Sequence, residues 1–121
     1  MSGLEKVFNI QKKFSEKLFQ KKYELDLNNL SNEEKLKWSK EYILCAIKEL
    51  TEMLDELDWK THREVEKEIN MDNFLEEGVD TFKFLINLML INGFDDKDFL
   101  SKFIEKSEKV NNRFENESHN N

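Results

Sequence analysis

The sequence predicts an all-α fold, a four-helix bundle completed by oligomerisation, and three observations carry that prediction. No proline and only three glycines (Gly3, Gly78 and Gly93) interrupt 121 residues, so long helices meet few breakers. Glu, Lys, Leu, Asn and Phe dominate, with few β-branched runs to favour strands. Apolar side chains return every three to four residues through four separate segments, the period of an amphipathic helix. At this length the chain reads as one domain, residues 1–121, with room for a core of its own.

The first segment, residues 4–22, lines up Leu4, Val7, Phe8, Ile10, Phe14, Leu18 and Phe19 on one broad face. Gln11 lies beside that face, either as an exposed polar residue or as a ligand contact. A loop with apolar anchors at Leu25, Leu27 and Leu30 follows. Ser31 and Glu34 then have the spacing of a capping box, which starts a second helix running to about Asp58. Trp38, Tyr42, Ile43, Ala46, Ile47, Leu50, Met53, Leu54 and Leu57 form its expected buried face. Trp59, Lys60, Thr61, His62 and Arg63 make an aromatic-basic cluster at its end. Cations suit a helix C-terminus, but the dipole does not explain the tryptophan.

Glu64 to Asn70 reads as a polar linker or a short helical turn. Asp72 or Asn73 is expected to cap a third helix that ends at Gly93, the usual left-handed terminator. Between Phe74 and Ile91 its apolar residues surround the helix almost completely, which suits a central helix or one shared with another subunit. Asp95 or Asp96 starts a fourth helix, with Phe99, Leu100, Phe103, Ile104 and Val110 expected to pack inward. The polar tail from Glu115 to Asn121 is expected to fray.

A net charge of −7 argues against general nucleic-acid binding, which needs a basic footprint. It leaves room for a nucleotide whose phosphates are held through metal. One cysteine, Cys45, excludes an internal disulfide and reads as a small core residue of a reducing compartment. No secretory leader is legible, and the most apolar run, residues 82–91, is too short to span a bilayer. The expected setting is the cytoplasm, with no membrane partner.

Acidic residues three apart are common in a chain with 26 of them, but two pairs stand out. Glu49 with Glu52, and Glu77 with Asp80, each lie on one face of a helix inside a strongly apolar segment. An ionised carboxylate drawn towards an apolar stripe is costly unless a cation answers it. Two such pairs facing each other would make an all-oxygen site suited to a hard divalent ion such as magnesium, with manganese able to substitute.

These residues resemble a family. The stretch AIKELTEMLDELDWK (residues 46–60), followed by EEGVDTFKFL (residues 76–85), is similar to the all-α nucleoside triphosphate pyrophosphohydrolases. That superfamily includes the dimeric dUTPases, the MazG-type enzymes and the dCTP pyrophosphatases. Its signature, Glu-x-x-Glu on one helix and Glu-x-x-Asp on the next, is matched by Glu49, Glu52, Glu77 and Asp80, and Trp59-Lys60 resembles the dimeric dUTPase branch. Lys83 stands where that branch usually carries a histidine, and residues 106–113 fit its C-terminal Lys/Asn/Arg motif loosely.

The resemblance implies that the four carboxylates hold magnesium bridging a triphosphate, that water attacks the α-phosphorus, and that Glu49 or Glu52 is the base. It implies release of pyrophosphate from a deoxynucleoside triphosphate, dUTP first, with a MazG-like or dCTPase-like substrate as the alternative. Trp59 would stack on the base, and Lys60 and Lys83 would meet the substrate. Lys106, Lys109 and Arg113, one face of the last helix, are either a grip on phosphates or a solvated basic strip. Gln11 or Asn87 would read a base edge. A homodimer or homotetramer is expected. A non-catalytic helical interaction module, docking through Phe82, Phe84 and Met89, is the alternative from a different class; magnesium binding separates the two.

Overall fold

The computed structural model describes residues 2–57 and 69–119, the side chains of residues 118 and 119 excepted. Four helices follow in order: α1 (Gly3–Leu18), α2 (Asn32–Glu56), α3 (Met71–Ile91) and α4 (Asp96–His119). Among the described residues there is no strand, and no helix is long and apolar enough to cross a membrane. A π-helical turn (Phe19–Tyr23) and a short 3₁₀ turn (Leu27–Asn29) join α1 to α2.

Each helix starts where a side chain satisfies its free N–H groups. Ser2 Oγ accepts from the Glu5 amide at 3.2 Å. Before α2 the capping box forms as the sequence indicates: Ser31 Oγ accepts from the Glu34 amide (3.1 Å) while Glu34 accepts from the Ser31 amide (2.8 Å). Those bonds hold the Glu34 carboxyl below its ordinary value. Asp95 and Asp98 repeat the exchange before α4, at 2.9 and 3.1 Å. The cap of α3 is Asn70, whose side chain accepts from the Asn73 amide at 3.0 Å, rather than the expected Asp72 or Asn73. At the other end Gly93 takes φ +85°, and the amides of Gly93 and Phe94 return to the carbonyls of Leu90 and Met89, both at 3.0 Å.

α2 and α3 make the largest helix pair. Glu56 meets Asn73, Met53 meets Thr81, Tyr42 meets Phe84, and Ser39 meets Asn92, so the two helices run antiparallel. The core lies at the Trp38 end of this pair. Phe19, Leu27, Leu30, Trp38, Tyr42 and Ile91 are buried there, with Tyr23, Leu25, Phe84 and Leu88 against them. The Trp38 ring lies 4.9 Å from Phe19 and 4.6 Å from Tyr23. Burying side chains of this size stabilises by about 1.5–3 kcal/mol each.

α1 crosses α3 and touches α4 through Phe8 and Phe99, whose centroids are 6.0 Å apart. Beyond that contact α4 corrects the sequence reading. Leu100, Phe103, Ile104 and Val110 do not pack inward, and Phe103 is 62% exposed. α4 is helical through His119, and residues 120 and 121 of the tail lie outside the described residues. Ile43, Ile47, Leu50, Leu54 and Leu57 on α2, and Val7, Ile10 and Phe14 on α1, are likewise exposed in the single chain. The apolar stripes are wider than the chain itself covers.

Candidate active site

The two acidic pairs lie on the facing helices α2 and α3, towards the end of the pair opposite the aromatic core. Glu49 and Glu52 are one turn apart on α2, and Glu77 and Asp80 one turn apart on α3. Glu49, Glu52 and Glu77 are half-buried, while Asp80 is exposed. Glu49 Oε2 and Glu77 Oε2 are each buried without a hydrogen-bond partner among the described residues. Beneath them, Met53 packs near Gly78 and Thr81, and the Thr81 hydroxyl donates to the Glu77 carbonyl at 2.9 Å.

The electrostatics follow from this crowding. Burial pushes the Glu49 carboxyl above its ordinary value, and the charges of Glu52, Asp80 and Glu77 push the same way. Glu77 is raised by burial first, then by Glu56, Glu52, Asp55 and Asp80. Among the described residues the neighbours acting on the two groups are acidic, so α2 and α3 both contribute negative charge at the site. Among the described residues no three of these side chains are gathered tightly enough to enclose an ion as they stand. The donor chemistry nevertheless fits a hard divalent ion: carboxylate oxygens, like charges close together, and two buried oxygens without partners among the described residues.

Glu56 and Asn73 belong to this neighbourhood and were not singled out in the sequence. Asn73 Nδ2 donates to Glu56 Oε1 at 2.7 Å and to Glu77 Oε1 at 3.4 Å. Glu56 was one more acidic residue in an acidic helix, and Asn73 carried only the signal of a cap.

A second polar group lies further along α3. Gln11, read as exposed or as a ligand contact, is 4% exposed, and Ser15 and Asn87 are buried with it. Asn87 Oδ1 accepts from Ser15 Oγ (2.6 Å) and from Gln11 Nε2 (3.0 Å), and Gln11 Nε2 also reaches Ser15 Oγ at 3.3 Å. The structure thus brings Gln11 and Asn87 together through a serine that the sequence did not mark. Asn87 is seven residues beyond Asp80, two turns or about 10 Å along α3.

The remaining candidates are dispersed or outside the described residues. Lys83 is exposed on α3. Lys106, Lys109 and Arg113 are exposed on α4, which packs on α1. Lys109 is tied to Glu105 at 3.2 Å, and Lys102 to the same carboxylate at 3.1 Å, which holds Glu105 below its ordinary value. Trp59, Lys60 and the cluster through Arg63, with the linker from Glu64 through Glu68, lie outside the described residues.

Among curated proteins and among solved structures, none matches the chain. Residues 3–119 match the model of the family described as dUTPase. That span takes in all four helices and both acidic pairs. The chain therefore belongs to the dUTPase family, the dimeric dUTPase-like branch of the all-α nucleoside triphosphate pyrophosphohydrolases.

Proposed function

We propose that the protein hydrolyses dUTP to dUMP and pyrophosphate with magnesium, manganese being able to substitute. The observation that carries the reading is the pair of buried carboxylate oxygens on facing helices, Glu49 Oε2 and Glu77 Oε2, which have no partner among the described residues. Glu49, Glu52, Glu77 and Asp80 would hold the ion. Bound there, it supplies charge neutralisation for the triphosphate and acidifies a water molecule. Glu49 or Glu52 would then accept the proton of the attacking water, and burial raises the proton affinity of the Glu49 carboxyl in the direction a base needs. Attack at the α-phosphorus makes pyrophosphate the leaving group.

Gln11 and Asn87 would receive the base. Within the buried trio, Gln11 Oε1 and Asn87 Nδ2 are not used, which leaves one acceptor and one donor. Uracil offers an imide N–H beside a carbonyl, the complement of that pair. Cytosine offers a bare ring nitrogen and an amino group, so an acceptor would face an acceptor, a penalty larger than a misfitting methyl. Trp59, Lys60 and Lys83 remain candidates for the base and phosphates, and Lys106, Lys109 and Arg113 for the phosphates across a subunit boundary.

The assembly is read as a homodimer or homotetramer. A groove of about 1010 Å³ along α4, lined by Met89, Phe94, Phe99, Phe103, Val110 and Phe114, leaves a run of large apolar side chains that a second copy could cover. The test of the function is a panel of dUTP, dCTP, dTTP, dATP and dGTP compared by kcat/KM. dUTP leads if the reading holds; if another nucleotide leads, the uracil assignment falls and the general pyrophosphohydrolase reading stands alone.

A further inference from the structure

We infer that Asn73 is a positioning residue for the metal site, a neutral clamp that fixes Glu77 from behind while leaving its charge to the ion. The inference rests on the metal-binding reading above. Asn73 stands three residues past the Asn70 cap, so its own backbone is pinned by the Asn73 N–H to Asn70 Oδ1 bond of 3.0 Å. Its side-chain amide spans the two helices, reaching Glu56 at the last turn of α2 and Glu77 one turn further along α3. Both partners are carboxylates, which only accept, so the nitrogen and not the oxygen of the amide must face them.

The consequence falls on which Glu77 oxygen points where. Asn73 occupies Oε1, and the other oxygen, Oε2, is the buried one without a partner among the described residues. A carboxylate held by one oxygen has its second oxygen aimed, which is what outer hydrogen bonds do for metal ligands. The choice of an amide matters as much as its place. A lysine or arginine at residue 73 would supply the same hydrogen bonds, but its charge would satisfy Glu56 and Glu77 and compete with a divalent cation. An amide donates without neutralising. The bond to Glu56 anchors the clamp to α2, so the two helices that carry the acidic pairs are registered at the site itself.

The test uses manganese alone, bound to the full chain and followed by loss of the free-ion signal in electron paramagnetic resonance. The wild type binds saturably, Asn73→Ala binds roughly ten-fold more weakly, and Asn73→Gln, which keeps the amide, recovers most of the affinity. Circular dichroism confirms that the variants are folded, and Asn73→Ser carries the comparison if the alanine variant is not. A residue that merely stabilised the helix start would lower the melting temperature without changing the manganese affinity of the folded protein. Equal manganese affinity in the wild type and Asn73→Ala would overturn the clamp. A wild type that does not bind manganese would overturn the metal site, and the clamp with it.

Discussion

Replacing Asn87 by leucine tests the buried trio on α1 and α3. The substitution keeps the branched heavy-atom skeleton but removes the acceptor of two buried hydrogen bonds, 2.6 Å from Ser15 Oγ and 3.0 Å from Gln11 Nε2. A buried donor left without a partner costs about 1–3 kcal/mol. Gln11 keeps a weaker bond to Ser15 at 3.3 Å, so the lower half of that range applies to each donor. The expected loss for the two donors is about 2–4 kcal/mol, a large share of the roughly 5–15 kcal/mol that holds a domain together. In urea the midpoint should fall by about 1 M, given slopes of about 1–3 kcal/mol per M.

The informative comparison is with the triple variant Gln11→Leu, Ser15→Ala, Asn87→Leu, measured at the same protein concentration. Removing every polar partner at once strands nothing, so most of the lost stability should return. The recovered protein should still discriminate dUTP from dCTP poorly, which separates a base-reading role from a structural one. A single Asn87→Leu change costing less than about 0.5 kcal/mol, or a triple variant as unstable as the summed single changes, would refute the reasoning.

Two further outcomes follow from the charge and apolar surface. Glu49 and Glu77 have raised pKa values, so in the metal-free protein their contribution to stability is present below pH 4.5 and is lost as pH rises through the folded values. Glu49→Gln and Glu77→Gln should therefore melt higher than the metal-free wild type at pH 7, with the gap closing towards pH 4.5; wild-type melting that ignores both pH and magnesium would contradict this. Sedimentation at micromolar concentration should give a dimer or larger, and Phe103→Glu, at a 62% exposed position on α4, should shift it towards monomer. A clean wild-type monomer would leave the α4 groove unexplained.

What the sequence made legible was local. The Ser31–Glu34 box and the Gly93 stop depend on a few neighbouring residues and are found where their spacing puts them. The apolar period located the face of α4 but not what covers it, because periodicity records that a face is apolar and says nothing of which surface meets it. Gln11 could not be recognised as buried, since its partner Asn87 is 76 residues away. Met53 and the acidic pairs were legible as a motif. Glu56 and Asn73 were not, because a fifth acidic residue and a polar helix start carry no signal until α2 and α3 are laid side by side.

The central claim is attack by water at the α-phosphorus, and the position of solvent oxygen in the products tests it most directly. Hydrolysis of dUTP with magnesium in ¹⁸O-labelled water should place one label in dUMP and none in pyrophosphate, with turnover lost in Glu52→Gln. Label in pyrophosphate or in orthophosphate, or unchanged turnover in that variant, would contradict the account.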